Sequence, residues 1–368
     1  MTSVDSVIIL GAGASSSDGA PLQKDLMKEF CSKATIKKLN LSNQRIQIGN
    51  IDEAEKNHLT QIEKYFDLFW GADLLSPFDK KFTYPTFEDC LGILDIAKNR
   101  NENFKLQNRE ELNIFRNSLI FLIAKAIEEK FKPSGSHNHE TLINRLKREE
   151  LLKSTAFISL NYDIIIDNTL TQLRGSDNLD LDYGIEFMNF DRNQNSDENS
   201  WMRPHPTKSI LLLKLHGSLN WLYCPTCNQI EITPKEKGAI KAFTQSEKCF
   251  ACGTPMEPII VPPTYFKEME NVYLQQIFQR SDEILRNSKK IYLCGYSLPD
   301  ADLHIKYLLK RAELLNRNPP EIFIINNHKN KKDPRIEKKR FLQFFKYKKK
   351  VYYTELSFED FCRDGIQD

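Results

Sequence analysis

Five short apolar runs divide the chain, and each of them stops at small or polar residues. The runs span residues 7–10, 156–160, 210–215, 291–294 and 322–325. Strands buried on both faces of a parallel sheet read as continuous apolar runs, because helices cover both sides of the sheet. The pattern therefore predicts an α/β fold with a mostly parallel sheet and helices on both faces.

The residues that follow these runs are candidates for one shared site. Ligands of open α/β sheets bind beyond the carboxyl ends of the strands, where neighbouring strand ends meet. The chemistry-bearing residues at four of the five ends are Asn161 and Asp163, then His216, then Gly295 and Ser297, then Asn326. The sequence predicts that they line a single cleft.

The first apolar run ends at a small-residue turn, ahead of a helix-like stretch at 21–30. The turn consists of Gly11, Ala12, Gly13, Ala14 and Ser15. A strand, glycines and a helix start are typical of a Rossmann-like site, where backbone N–H groups approach a pyrophosphate at a helix N-terminus. A tight structural connection is the alternative, since Ser16 departs from the usual glycine spacing. A dinucleotide is the leading ligand.

Residues 36–152 contain no convincing strand run and instead show helical patterns at 59–70, 86–97, 111–131 and 141–152. Thr86 and Asp89 have the spacing of a helix-capping pair, and an apolar stripe follows them. We interpret this block as a helical insertion between the first two strands of one domain that spans residues 1–368.

Four of the eight cysteines form two C-x-x-C pairs, which are Cys224 with Cys227 and Cys249 with Cys252. Two such pairs about twenty residues apart suit a tetrahedral zinc ion, and four thiolates leave no open position for catalysis. The sequence thus predicts a structural zinc-ribbon insertion at 221–257, with a redox pair as the alternative. The isolated cysteines are expected to be reduced packing residues, namely Cys31, Cys90, Cys294 and Cys362.

The charge balance of the whole chain gives no case for nucleic-acid binding, because 52 basic and 50 acidic residues give a net charge of +2. The segment 329–350 is locally basic and could bind phosphates or an acidic partner. A surface helix that buries Phe341, Phe344 and Phe345 is favoured. No apolar stretch is long enough for a bilayer and no signal peptide is evident, so a cytoplasmic location without membrane contact is expected.

Taken in chain order, these motifs resemble the sirtuin-like (silent information regulator) fold, and specifically its bacterial NAD-consuming branch in anti-phage defence. The resemblance is carried by the turn at 11–15 with Gly19, by Asn161 and Asp163, by Lys214 and His216 with the cysteine pairs after them, and by Gly295 with Ser297. It implies an NAD hydrolase that releases nicotinamide and ADP-ribose. It further implies control by homo-oligomerisation or by a defence partner, such as a translocase-type ATPase or an Argonaute-like protein.

The resemblance also implies roles for individual residues. The turn at 11–15 would hold pyrophosphate, Asn161 would orient the ribose or a water molecule, and Asp163 would bind the carboxamide. His216 would be the general base. Gly295 and Ser297 would face the adenosine half, and Asn326 would face its ribose. From the residues alone, the alternatives are that Asn161 and Asp163 cap a helix and that His216 is a core histidine.

Two other functions stay open. One is a regulatory module that binds NAD or ADP-ribose without turning it over. The other is an NAD-dependent protein deacylase. Deacylases of this family usually show Gln-Asn-Ile-Asp where this chain has Leu160 to Asp163, and Pro262 and Pro263 lack the N–H donors that strand addition of a peptide requires. Peptide deacylation is therefore disfavoured.

Overall fold

The computed structural model describes residues 4–20, 22, 27, 53–71, 85–105, 107–130, 137–192, 201–233, 247–261, 271–326 and 334–366. Its strands are β1 Ser6–Leu10, β2 Thr155–Ser159, β3 Asp180–Asp182, β4 Ser209–Lys214, β5 Gly217–Tyr223, β6 Ile230–Ile232, β7 Glu257–Ile260, β8 Lys290–Cys294, β9 Glu321–Ile325 and β10 Val351–Tyr353. Most of the predicted helix-like stretch at 21–30 lies outside the described residues.

Seven of these strands form one parallel sheet in the order β10-β9-β8-β1-β2-β4-β3. All five apolar runs lie in it, and β2 is buried along its whole length. From β1 the chain first builds the sheet towards β4, and later it returns beside β1 as β8 and continues to β10. The strand order therefore changes direction at β1, which is where α/β sheets open a crevice for ligands.

The helices are α1 Ala12–Ser17, α2 Glu53–Trp70, α3 Phe87–Arg100, α4 Arg109–Lys130, α5 Asn138–Arg148, α6 Ile165–Thr171, α7 Leu173–Asp177, α8 Val272–Asn287, α9 Leu303–Leu315, α10 Pro334–Phe344 and α11 Phe358–Asp364. Helix α5 packs against α6 and α11, while α8 packs against α9. Because parallel crossovers are right-handed, α5 and α6 lie on one face of the sheet and α9 and α10 on the other. The predicted fold class is confirmed.

Helices α2, α3 and α4 have an apolar core of their own, which includes Tyr65, Phe66 and Phe115. We call these three helices the helical unit. Helix α5 instead packs on the core of the sheet through Leu142 and neighbouring residues. The predicted bounds of the helical insertion, 36–152, stay a prediction, since much of 28–52 and 72–84 lies outside the described residues.

The predicted capping pair begins α3. The Thr86 hydroxyl accepts a hydrogen bond from the Asp89 N–H at 3.1 Å, and the Asp89 carboxylate accepts one from the Thr86 N–H at 3.2 Å. The reciprocal bonds satisfy two N–H groups that a helix start otherwise leaves unpaired. This local prediction is confirmed.

Strands β5, β6 and β7 form a small antiparallel sheet beside the four cysteines. Its separate core contains Leu222 and Met256 with Cys224 and Cys249. Gly217 has a φ of +81° where the chain turns from β4 into β5, and a Cβ there would lie 2.0 Å from the Ile259 carbonyl oxygen. Only glycine fits this turn, and it brings the small sheet against the end of β4.

Asp18 joins the end of α1 to the start of α5. Its carboxylate accepts hydrogen bonds from the Asn138 N–H at 2.9 Å and the His139 N–H at 3.0 Å, and it contacts the His139 ring. Burial alone would raise the pKa of Asp18, but the bonds and charge of His139 and the bond from Asn138 hold it below its ordinary value. The ionised carboxylate fixes α1, and with it the turn at 11–15.

The described part of the basic segment agrees with the predicted surface helix, because α10 spans Pro334–Phe344 and buries Phe341. Residues 329–333 lie outside the described chain. Phe345 is buried just after the helix ends. Among the described residues, no helix combines the length and apolar character needed to cross a membrane.

Candidate active site

The helix after β1 begins earlier than predicted, since α1 starts at Ala12 and includes four of the five residues of the predicted turn at 11–15. This segment packs directly against the turn after β8. The Gly11 N–H donates to the Cys294 carbonyl at 2.9 Å, and the Gly13 N–H donates to the Gly295 carbonyl at 3.0 Å. Gly295 has a φ of +63°, and a Cβ there would lie 2.2 Å from the Ala14 nitrogen. These glycines permit the close approach of two backbones. The Ala14 N–H also donates, to the Gly11 carbonyl at 2.9 Å, so at least three N–H groups of this segment are used inside the protein. Its contacts with a ligand stay a prediction.

Asn161 links the end of β2 to the same turn. Its side-chain Nδ2 donates to the Gly11 carbonyl at 3.0 Å and to the Ser15 hydroxyl at 2.8 Å. The carbonyl can only accept, so the amide orientation follows from this contact. Within the described chain, the Asn161 Oδ1 makes no hydrogen bond, which leaves an acceptor of defined direction on a buried side chain.

Asp163 lies two residues before α6, and its carboxylate accepts a hydrogen bond from the Ile165 N–H at 3.1 Å. This bond closes a turn ahead of the helix and does not cap it, because the residue at the cap position is Ile164. The Asp163 carbonyl accepts a hydrogen bond from the Lys214 ammonium at 2.5 Å. Lys214 is fully buried and also donates to the Asp167 carboxylate at 2.9 Å, while the Tyr183 hydroxyl donates to the other oxygen of Asp167 at 2.6 Å. A buried ion pair thus holds the loop between β2 and α6.

His216 follows β4 and is 1% exposed. Its Nδ1 lies 3.0 Å from the Leu160 carbonyl oxygen, the residue before Asn161. A carbonyl accepts only, so Nδ1 carries the proton in this contact and Nε2 carries the lone pair of the neutral ring. Nε2 lies 3.8 Å from the Asp302 carboxylate. The imidazole has the tautomer that a base acting through Nε2 requires.

Asp302 and Tyr296 complete this group from the loop between β8 and α9. The Tyr296 hydroxyl donates to the Asp302 carboxylate at 3.0 Å. Burial, followed by the charge of Asp302, raises the pKa of Tyr296 well above its ordinary value, so this phenol stays neutral. The sequence indicated only that Asp302 starts a helix. It indicated no role for Tyr296, which lies between Gly295 and Ser297.

The helical unit reaches the site through Tyr162, which belongs to its apolar core together with Leu219 and Ile260. The Tyr162 hydroxyl donates to the Val261 carbonyl at 3.3 Å, and its ring centroid lies 6.2 Å from that of His216. Burial first, and then the charges of Glu88, Asp302 and Asp95, raise the pKa of Tyr162 well above its ordinary value. The helical unit therefore excludes water from one side of His216.

Glu88 is a further acidic group that sequence reasoning missed. It lies in the first turn of α3, and burial raises the pKa of its carboxyl, with the neighbouring Asp89 adding to the effect. Its Oε1 is buried and has no hydrogen-bond partner in the described chain. A glutamate in the first turn is so common in helices that its spacing carries no functional signal.

The remaining predicted residues lie at the next strand ends. Asn326, which is 4% exposed, donates through Nδ2 to the Tyr296 carbonyl at 3.1 Å and to Glu337 at 3.0 Å. Ser297 is exposed, and its carbonyl accepts from Arg340 at 3.2 Å. Asn326, which follows β9, is therefore bonded to the turn that follows β8. His304, for which the sequence indicated no role, lies with its ring 6.0 Å from Phe278.

The four paired cysteines come together. Their sulfur atoms all lie within 4.8 Å of one another, with Cys224 and Cys252 3.4 Å apart and Cys227 and Cys249 3.5 Å apart. A disulfide requires about 2.05 Å, so these are free thiols. Four thiolates bound to zinc at about 2.3 Å in a tetrahedron stand roughly 3.8 Å apart. The cluster therefore has a spacing compatible with a zinc ion.

Cys90, Cys294 and Cys362 are free and buried, as their apolar neighbours predicted. Cys31 lies outside the described residues. Burial raises the pKa of the Cys90 thiol to about 12. Such a thiol stays protonated and unreactive at neutral pH.

Comparison with known proteins supports one assignment. No curated protein gives a significant match to the sequence. One solved structure, titled "Structural Basis for the Mechanism and Regulation of Sir2 Enzymes", aligns with 98% of this chain and 90% of its own chain, at 12% identity and a TM-score of 0.40. The family model for the SIR2-like domain matches residues 155–345, more than half of the chain. The chain therefore belongs to the SIR2-like domain family.

Proposed function

We propose that the protein is an NAD hydrolase, which cleaves the bond between nicotinamide and ribose and adds water to give nicotinamide and ADP-ribose. The observation that supports this most is the meeting of three strand ends around one group of side chains. Asn161 bonds to the turn at 11–15, and His216 bonds to the residue before Asn161. An amide, a carboxylate and an imidazole are thereby available beside a Rossmann-like turn.

The reaction needs placement and a dry site more than a strong nucleophile. Nicotinamide leaves as a neutral molecule, and the ribose carbon passes through a state with oxocarbenium character. Water then adds to that carbon and loses a proton. His216 accepts the proton through Nε2, either from this water or from a ribose hydroxyl. Its burial beneath Tyr162 keeps bulk water away.

The other predicted residues have binding roles in this proposal. The Asn161 Oδ1 accepts a hydrogen bond from the water or the ribose, and Asp163 binds the nicotinamide carboxamide. The Ser15 hydroxyl and the backbone from Gly11 to Ala14 form the pyrophosphate site, in which the N–H groups of Gly11, Gly13 and Ala14 shape the segment through bonds inside the protein. Gly295, Ser297 and Asn326 face the adenosine half.

We further propose that the protein is a cytoplasmic effector of bacterial anti-phage defence that depletes NAD. An NAD hydrolase must stay silent until it is triggered. Homo-oligomerisation or a partner, such as a translocase-type ATPase or an Argonaute-like protein, would provide this control.

Incubation of the purified protein with NAD, with and without the proteins encoded beside it, tests the proposed reaction. We expect nicotinamide and ADP-ribose to form in equal amounts, as measured by chromatography. Calorimetric binding of NAD without either product under all of these conditions would contradict hydrolysis and favour a sensing module. Release of acetate-bearing ADP-ribose from an acetylated peptide would instead indicate deacylation.

We also propose that Cys224, Cys227, Cys249 and Cys252 hold a structural zinc ion, which would cross-link the turn after β5 to the segment before β7. We expect about one zinc per chain in reduced protein, by plasma emission spectrometry. Cys249→Ser should lose the metal, because a buried hydroxyl replaces a thiolate ligand. Cys362→Ser is the matched control, since Cys362 is a buried cysteine remote from the cluster in sequence. Full zinc content in Cys249→Ser would contradict the site.

A further inference from the structure

Asp302 places a carboxylate close to His216 that the motifs do not explain. Asp302 is the first residue before α9, a position where an aspartate normally accepts hydrogen bonds from the N–H groups of its own helix. Its side chain makes no such capping bond. The carboxylate instead accepts from the Tyr296 hydroxyl at 3.0 Å and points its other oxygen at His216.

The two side chains form a buried pair. Asp302 is 4% exposed and His216 is 1% exposed, and the Asp302 Oδ1 lies 3.8 Å from the His216 Nε2. Nδ1 already donates to the Leu160 carbonyl, so Nε2 is the atom that gains a proton during a reaction. When it does, the ring becomes a cation in a site from which water is excluded. A buried cation of this kind is costly unless an opposite charge lies close by.

The other titratable groups that face His216, or the neighbouring Tyr162 ring, come from three elements. Tyr162 lies on the loop after β2 and Tyr296 on the loop after β8. Glu88 and Asp95 lie on α3 and act on Tyr162, and Asp95 pairs with Arg116 at 2.5 Å. Both phenols stay neutral, because burial and nearby carboxylates raise their pKa values. Burial also raises the pKa of Glu88. Lys214, the nearest ammonium in sequence, is neutralised by Asp167 at 2.9 Å.

We propose that Asp302 is the positioning residue of His216, with Tyr296 holding its carboxylate in place. The pair stabilises the imidazolium that forms when Nε2 accepts a proton from water or a ribose hydroxyl. The proton stays on Nε2 until it passes to solvent after product release, and Asp302 itself remains ionised throughout. This inference rests on the proposed hydrolysis, but the contact between the two side chains is measurable without it.

The test is Asp302→Asn, which keeps the size of the side chain and an acceptor for Tyr296 but removes the charge. Titration of the histidine rings by nuclear magnetic resonance, with His216 assigned from His216→Ala, reports the pair directly. We expect the titration midpoint of His216 to fall by roughly one to two pH units, because an opposite charge within about 4–6 Å favours the charged form. The acid limb of the kcat/KM profile should move in the same direction.

Asp300→Asn is the matched control on the same loop. Asp300 has an 81% exposed side chain and pairs with Lys306 at 3.3 Å. Its variant should leave the His216 midpoint and the pH profile unchanged. Tyr296→Phe provides a second probe if Asp302→Asn fails to fold. It should raise the titration midpoint of His216, because the Asp302 carboxylate loses the hydrogen bond from the phenol and its negative charge then acts more strongly on the imidazole.

The results of these experiments distinguish the pairing of Asp302 with His216 from the proposed hydrolysis of NAD. An unchanged His216 midpoint in both Asp302→Asn and Tyr296→Phe overturns the inference, whatever the enzyme does with NAD. A lowered midpoint in Asp302→Asn with a wild-type pH profile also overturns it, since the pair would then have no part in turnover. A lowered midpoint in a wild-type protein that never releases nicotinamide overturns the proposed function and leaves the pairing itself supported.

Discussion

His216→Ala should lower NAD turnover by at least about 100-fold, because a positioned general base contributes roughly 100- to 10,000-fold to a proton transfer. In the proposed reaction this buried imidazole is the base, and a hydrogen bond from Nδ1 to the Leu160 carbonyl orients its Nε2. Alanine removes the base but leaves the backbone turn at Gly217 intact. Initial rates of nicotinamide release at saturating NAD measure the loss in kcat.

The matched control is His205→Ala, which removes an exposed imidazole from the segment before β4. It should turn over NAD at the wild-type rate. Both variants should give the wild-type circular dichroism spectrum and melting temperature within a few degrees. A His216→Ala variant that is folded and retains more than about a tenth of the wild-type rate would contradict the catalytic assignment.

Lys214→Met should destabilise the fold by about 3–5 kcal/mol, the typical cost of removing one partner from a buried ion pair. Lys214 is fully buried, and its loss would leave the Asp167 carboxylate with only the Tyr183 hydroxyl among its hydrogen bonds to side chains. The Asp163 carbonyl would lose its partner as well. Equilibrium unfolding in urea measures the change in the free energy of unfolding.

The double variant Lys214→Met with Asp167→Asn should recover much of that loss, because the buried charge is gone and an acceptor for Tyr183 remains. Lys147→Met is the control for a partly exposed pair. Lys147 and Asp177 lie 2.7 Å apart, with side chains 33% and 23% exposed, and breaking such a pair costs up to about 1 kcal/mol. Equal destabilisation by Lys147→Met and Lys214→Met would show that burial of the ion pair is not the cause.

The central strands were predictable because burial on both faces forces a continuous apolar run. Strands β3 and β10 were not predicted. Asp180–Asp182 and Val351–Tyr353 are three residues long and lie at the two edges of the sheet, where one side of the strand has no neighbour. Too few apolar positions remain in such strands to form a pattern. The capping pair at Thr86 was predictable, since it depends only on residues three positions apart.

The site was predictable where its residues follow strands. Asn161, His216, Gly295 and Asn326 come together because parallel strands end at the same edge of a sheet. The partners of these residues were not predictable. Lys214 pairs with a carboxylate 47 positions earlier in the chain, and Asp302 turns from its own helix towards Tyr296 and His216. These pairings depend on packing between segments that are distant in the chain, and the spacing of apolar residues along the sequence does not indicate them.

The place of Tyr162 has a consequence for the size of the smallest working protein. Its ring, with Leu219 and Ile260, completes the core of α2, α3 and α4, although all three residues belong to the sheet side of the molecule. Arg116 of α4 also donates to the Ile260 carbonyl at 3.2 Å. Excision of those helices would bare an apolar patch beside the imidazole, and such patches promote aggregation. A trimmed version that keeps only the strands and their crossovers should not be a viable catalyst.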